Sequence, residues 1–325
     1  GTALGSTAAG VSLSWQPSAG WPTDANWGMA AIVIPPKFYG PTAIMPDTLD
    51  VEDNAPNGTS LGALTATDPD NKPPYTWTLM DSAGGRFSLS ETTKPAPTVN
   101  VLIANAALID FGQDETHTIR VGIRNAEYPV VFEKDILINV SDTTPPVIGA
   151  ISASRAFGRD GEMVYFSAAV TDNAALSAAP VMTLGGVPLM FFNEENDVYT
   201  WAWNIPVGSP DGPVSVMIAA EDMSGNDASR TAEDIIIVDN TAPGISGFSV
   251  SHAYAKPGDL VTVQATVWDL NGVAPWPILT INGLDAGTPS VSGDVYTWQV
   301  SITGSIDEGP AMLMVTALDA AGNQA

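Results

Sequence analysis

Val198-Tyr199-Thr200-Trp201 and Val295-Tyr296-Thr297-Trp298 are one stretch written twice, 97 positions apart. The same offset carries Asp142 onto Asp239, Gly161 onto Gly258, Asp172 onto Asp269, Pro180 onto Pro277 and Gly186 onto Gly283. It also carries Gly212-Pro213 onto Gly309-Pro310 and Gly225-Asn226 onto Gly322-Asn323, without a gap. A period that long is a whole domain, because solenoid units run about 20–50 residues and cannot bury a core alone. Alternating Tyr-Thr-Trp is strand chemistry in which one face turns inward, so Trp201 and Trp298 are expected in matched cores.

Outward from that stretch the period-2 pattern continues. Met163-Val164-Tyr165-Phe166, Val214-Ser215-Val216-Met217-Ile218 and Leu260-Val261-Thr262-Val263 each end at Gly, Pro, Asn or Asp, as strands do. No window shows helical periodicity. Short strands separated by 30 Gly and 26 Pro in 325 residues predict an all-β chain of tandem β-sandwich domains in an extended rod. The expected segments are a partial N-terminal β segment at 1–41, one sandwich at 42–141, a second at 142–239, and a third at 240–325. The third lacks a counterpart of residues 229–239, whose Ile235-Ile236-Ile237-Val238 reads as a last strand. Both ends therefore read as cut from a longer polypeptide, or as completed by a neighbouring molecule. Asp142-Thr143-Thr144-Pro145-Pro146 and Asp239-Asn240-Thr241-Ala242-Pro243 mark the joints. Proline there fixes φ and stiffens the link.

Eleven Lys and Arg stand against 36 Asp and Glu, a formal net charge of −25. Such a chain repels nucleic acid and anionic membrane, so neither is an expected partner. Oxygen-rich and acidic, it suits hard divalent cations instead. Cysteine is absent, which removes disulfides, thiolate metal sites and Cys nucleophiles. No stretch approaches 18 apolar residues, so no membrane insertion is expected.

Asp53-Asn54-Ala55-Pro56-Asn57-Gly58-Thr59, Ala66-Thr67-Asp68-Pro69-Asp70, Phe87 and Leu108-Ile109-Asp110-Phe111 make residues 48–141 resemble a cadherin-type domain. Asp53 replaces that family's usual Glu, Gly112 stands where the turn's Glu would be, and Arg124-Asn125 occupies the place of a late Asp. Val238-Asp239-Asn240-Thr241-Ala242-Pro243, with the turns Asp222-Met223-Ser224-Gly225-Asn226 and Asp319-Ala320-Ala321-Gly322-Asn323, makes residues 142–325 resemble the bacterial immunoglobulin-like domains of surface adhesins and biofilm-matrix proteins. That resemblance implies calcium bound between domains. Residues 11–34 resemble the closing strand pair of a jelly-roll or lectin-like sandwich.

In an immunoglobulin-like sandwich the B–C and F–G loops lie at the end where the chain enters. That topology gathers Asp172, Asp222 and Asn226 beside Asp142, and Asp269, Asp319 and Asn323 beside Asp239. Asp53 and Asp110 are expected to contribute from below at the first joint, and Asp211 at the second. Three to five oxygens from separate loops suit structural Ca²⁺. The alternative is that these side chains only cap their own turns. Asp68 and Asp70, facing a linker that offers only Asp47, are not expected to hold an ion.

Catalysis finds no footing. His117 and His252 read as solvated strand positions, far apart and without a nucleophile beside them. The expected function is an extracellular, cell-surface structural or adhesive protein: a multi-domain spacer of an adhesin or matrix filament, stiffened by calcium, whose partners are neighbouring copies or further domains of the same polypeptide. Two alternatives stand beside it. In one, residues 10–15 donate a strand to the third sandwich of the next molecule and build a head-to-tail fibre. In the other, Trp15, Trp21 and Trp27 form a sugar-stacking face, and the chain is an accessory carbohydrate-binding arm of a polysaccharide-degrading enzyme with surface glycans as partners.

Overall fold

A computed structural model of the chain describes residues 3–7, 10–14, 37, 39–304 and 308–325, with side chains from Lys37 onward. Trp15, Trp21 and Trp27 lie outside the described residues. Two compact units divide it, Gly1–Thr143 and Thr144–Ala325. Among the described residues the architecture is strand throughout, apart from one 3-10 turn at Ala106–Leu108.

In the first unit Ala3–Thr7 and Gly10–Ser14 form an antiparallel hairpin, with Ala3 opposite Ser14 and Thr7 opposite Gly10. The segment expected to be donated is therefore already paired along one edge. A sandwich follows. One sheet orders Ala43–Met45, Ser60–Thr67, Thr98–Ile103 and Phe87–Leu89; the other orders Thr48–Glu52, Phe132–Ser141, Thr116–Arg124, Tyr75–Asp81 and Thr93–Lys94. Every pairing is antiparallel except Thr48–Glu52 against Phe132–Ser141, which run parallel through five residue pairs. Alternate residues of both sheets meet in a core that includes Tyr75, Trp77, Phe87, Ile119 and Ile136.

His117 departs from expectation. It sits on Thr116–Arg124 in the same inward register as Ile119 and Val121, only 8% exposed, with its ring 5.9 Å from that of Phe87 and its Nε2 without a hydrogen-bond partner. Position parity within the strand decided its face, and that parity overrode the polarity of imidazole. Burial, followed by repulsion from Arg86, lowers its pKa against a smaller opposing pull from Asp114. A base whose folded pKa lies below its unfolded value binds protons more readily once unfolded. Stability from this group is thus present above the unfolded value and lost as pH falls below it. Thermal unfolding of the intact chain at pH 7.5 and pH 5 is expected to show the first unit losing stability in acid, with a shallower dependence in His117→Phe; parallel curves for the two proteins would contradict this.

The second unit holds two sandwiches with separate cores. In the second sandwich Val147–Ile148, Met163–Thr171, Val198–Asn204 and Met190–Glu195 form one sheet. Phe157–Gly158, Asp227–Val238, Gly212–Glu221, Val181–Leu184 and Val187–Pro188 form the other. Phe157–Gly158 runs parallel to the last strand through two pairs. In the third sandwich Gly244–Val250, Leu260–Trp268, Val295–Ser301 and Ser290–Ser292 face a sheet of Leu284–Asp285, Ile278–Ile281 and Leu313–Thr316. Leu313–Thr316 pairs only with Ile278–Ile281, whereas its counterpart Gly212–Glu221 has strands on both sides. The echo in sequence is an echo in register: Phe166 lies opposite Trp201, and Val263 opposite Trp298. Both tryptophans are fully buried.

Candidate metal centre

Three loops of the second unit meet where the second sandwich hands the chain to the third. Asp239 follows the strand Asp227–Val238, Asp269 follows Leu260–Trp268, and Asp319 lies beyond Leu313–Thr316, held by a bridge to Val273. One carboxylate oxygen from each lies within 4.8 Å of the other two. Asp239 and Asp319 are buried, and Asp269 is half-buried.

Local hydrogen bonds set each side chain. Asp319 closes its own turn, accepting Asn323 N on Oδ1 and Asn323 Nδ2 on Oδ2, both at 2.8 Å. That turn needs Gly322 at φ +88, where a side chain would be strained. Asn323 Nδ2 also donates to the carbonyl of Asp239 at 2.8 Å, tying the third sandwich to the residue that enters it. Asp269 Oδ1 accepts Asn271 N at 2.8 Å, and Asp239 Oδ1 accepts Thr241 N at 3.1 Å. Asp239 Oδ2 is buried with no hydrogen-bond partner, in a residue 1% exposed. A charged oxygen stripped of water and given nothing in return is costly.

Electrostatics point the same way. Burial raises the pKa of Asp269 above the usual carboxylate value, the charges of Asp239 and Asp319 add to the rise, and the backbone N–H groups of Asn271 and Gly272 only partly oppose it. Among the described residues no lysine, arginine or histidine forms an ion pair with any of the three. The cluster is an oxygen-lined concentration of negative charge, which is what a hard cation requires.

The earlier copy repeats the local geometry. Asp222 closes the matching turn, with Asn226 N and Ser224 N on Oδ1 at 2.8 Å and Asn226 Nδ2 on Oδ2 at 2.7 Å. Burial works to raise its pKa, yet the donors of Asn226, Ser224 and Gly225 outweigh it and hold the carboxyl below its ordinary value. Asp172 Oδ2 accepts Ala174 N at 2.9 Å, and the bridge Leu176–Asp222 matches Val273–Asp319. Asp142 stands next to the end of the first unit.

Three further expected ligands accept hydrogen bonds from backbone and side-chain donors. Asp211 accepts Asn240 N at 2.8 Å and the Thr241 hydroxyl at 2.5 Å, and these bonds, Thr241 first, hold its pKa down. Asp53 Oδ1 accepts both the amide and the hydroxyl of Thr143. Asp110 caps Gly112 N and accepts Gln113 Nε2. In each case a donor within or beside the loop takes the carboxylate, the capping role that Asp has in most turns. Asp68 is filled likewise by Lys72 N, the Tyr75 hydroxyl and Asn125 Nδ2.

Sequence reasoning missed the rest of the joint. Asn240 accepts Asp160 N on Oδ1 at 2.8 Å and donates from Nδ2 to the Ser209 carbonyl at 2.9 Å, while Asp160 caps Gly208 and Ser209. The guanidinium of Arg159 donates to the Gly322 carbonyl, reaching from the second sandwich to the turn that carries Asp319 and Asn323. The signal available was the offset, which sets Lys256 opposite Arg159.

No family model matches the chain, and no curated protein does. Among solved structures it is similar to the cis-dimer structure of protocadherin gammaB7 EC3-6, with 16% identity over 88% of this chain and 71% of that chain and a TM-score of 0.41. The titin I-band fragment I67-I69 is similar at 12% identity over 89% of this chain and 96% of that chain, TM-score 0.42. For the protocadherin gammaB4 extracellular domain the values are 13%, 91%, 50% and 0.44. Similarity at this level says nothing of a shared ligand or partner.

Proposed function

We propose that the chain is a structural segment of an extracellular adhesive or matrix protein, and that Ca²⁺ binds Asp239, Asp269 and Asp319 to set the joint between its second and third sandwiches. The observation that carries the metal is the buried, unpartnered Asp239 Oδ2 beside two further carboxylates. Ca²⁺ takes six to eight oxygens at about 2.3–2.6 Å in adaptable geometry, so three carboxylates and a few waters or carbonyls suffice. The ion offsets the repulsion from Asp239 and Asp319 that adds to burial in raising Asp269, and it satisfies the oxygen that hydrogen bonding leaves over. Because Asp239 belongs to the linker and the other two to loops of the third sandwich, binding fixes the direction in which the chain enters that sandwich. Further sandwiches of the same polypeptide are the natural partners of such a segment.

Calorimetric titration of the chelator-treated chain with Ca²⁺ tests this reading, with Mg²⁺ as the comparison. Heat of binding in wild type that is lost in Asp239→Asn is the expected result; smaller Mg²⁺ reluctantly gives up its waters and is expected to bind more weakly. An isotherm that Asp239→Asn leaves unchanged, or no heat at millimolar Ca²⁺, removes the site.

A further inference from the structure

The second sandwich carries apolar residues at an edge where its copy has Gly287, Thr288 and Pro289. Between its two sheets, at the side where the chain crosses from Val187–Pro188 to Met190–Glu195, lies an apolar groove of about 660 Å³ walled by Leu184, Val187, Pro188, Met190, Trp203 and Pro213. Grooves of this size and lining are the usual form of a ligand site. Met190–Glu195 continues from the groove as an edge strand, paired among the described residues only with Val198–Asn204 and exposed along its whole length. Its free edge therefore presents unpaired backbone donors and acceptors. Charge blunts the second half of the strand at Glu194 and Glu195, as it ordinarily does at edges, but the first half is Met190-Phe191-Phe192. An irregularity between Phe191 and Asn193 projects both aromatics, Phe191 toward Tyr199 and Phe192 toward Tyr165, with centroids 6.4 and 5.1 Å apart.

The repeat supplies the control. At the positions 97 residues later, Pro188 becomes Asp285, Met190 becomes Gly287, Phe191 becomes Thr288, Phe192 becomes Pro289 and Trp203 becomes Val300. The third sandwich thus folds with an edge of the ordinary kind, so the apolar edge is not a demand of the architecture.

Charge identifies the occupant. From Asp160 to Ser229 the chain has ten acids and no lysine, arginine or histidine. Glu194 and Glu195 lie on the edge strand itself, and Asp197 follows them. A second copy of a chain with net charge −25 brings repulsion to that surface. We infer that the edge Met190–Glu195 and its groove bind an extended cationic peptide segment of alternating aliphatic and Lys or Arg residues, added as a strand to the free edge. Its backbone pairs with the edge strand, its aliphatic side chains pass Met190 into the groove, and its cations meet Glu194 and Glu195.

A ten-residue peptide of alternating Val and Lys is the probe, titrated calorimetrically into the full chain in Ca²⁺ buffer. Alternating Val and Glu is the comparison, and the variant carries Met190→Gly, Phe191→Thr and Phe192→Pro, the residues the third sandwich already tolerates. Expected are binding of the Val-Lys peptide at least tenfold tighter than of the Val-Glu peptide, and at least a tenfold loss in the triple variant. Raising salt from 50 to 500 mM is expected to weaken binding without abolishing it. Should the triple variant melt early, Val187→Ser on the exposed groove lip is expected to weaken binding in a protein of wild-type stability. Equal affinity in wild type and both variants, or complete loss at high salt, shows charge attraction without the edge and overturns the proposal. Sedimentation equilibrium that finds a wild-type dimer, absent in the triple variant, assigns the edge to a second copy and overturns it as well.

Discussion

Asp269→Asn is expected to raise the melting temperature of the second unit in chelator and to lower it in Ca²⁺. Without the ion, Asp269 is an acid whose pKa is raised in the fold by burial and by Asp239 and Asp319. An acid so raised contributes no penalty while protonated. As pH climbs from its ordinary value of 3.8 through the raised one, the unfolded chain has already released a proton that the fold still holds, and stability falls. Asparagine carries no such charge, so between pH 4 and 7 the chelated variant is expected to gain stability relative to the chelated wild type as pH rises. With Ca²⁺ the sign reverses, because the ion binds deprotonated carboxylates and stability then rises with pH. Ligand at about 100 times its Kd contributes about 2.7 kcal/mol, or about 5–10 °C in a unit of this size. The variant forfeits most of that gain. Four melting series, wild type and variant with Ca²⁺ and with chelator, check it; a variant that moves in the same direction in both buffers shows a packing effect and no ion.

Trp298→Ala is expected to cost about 3–5 kcal/mol, the range for truncating a buried large aromatic, and to fall on the third sandwich. Trp298 is 0% exposed and lies opposite Val263 in a core whose buried members are otherwise aliphatic. Its Nε1 has no partner, so the loss is of packing and leaves no orphaned acceptor behind. Calorimetry of the intact chain is expected to show one transition moved to lower temperature while that of the first unit stays in place. Since Asp269 and Asp319 follow Leu260–Trp268 and Leu313–Thr316, strands that pack in the core with Trp298, Ca²⁺ affinity is expected to fall with it. Trp201→Ala is the matching change in the second sandwich, and equal Ca²⁺ affinity in both variants would place the site away from the third.

The strands were legible because parity is a property of the sequence itself. Met163–Thr171 and Leu260–Trp268 bury every second residue, Val164, Phe166, Ala168 and Val170 in one and Val261, Val263, Ala265 and Val267 in the other. The acids that meet at the second joint were legible for a related reason: a fixed offset plus a known loop arrangement places Asp239, Asp269 and Asp319 together. What the sequence withheld was the choice each remaining carboxylate makes among nearby donors. Asp211, Asp53 and Asp110 look no different in sequence from Asp319, and like it each accepts N–H or O–H groups of a nearby linker or turn. The buried place of His117 was hidden by its polarity, and the apolar edge at Met190-Phe191-Phe192 by resemblance to any other strand. Only comparison with Gly287-Thr288-Pro289, once the strands were paired, sets that edge apart.

The parallel pairings acquire a different meaning under mechanical load. A chain tugged from its two ends draws an early strand and a late strand past each other, and where the two run parallel every bond between them resists together. In the first sandwich that clamp joins Thr48–Glu52 to Phe132–Ser141 through five pairs; in the second it joins Phe157–Gly158 to the last strand through two. Forced rupture is governed by the unfolding barrier and not by equilibrium stability. Under tension the second sandwich is therefore expected to yield before the first and to lengthen, acting as a fuse that spares it.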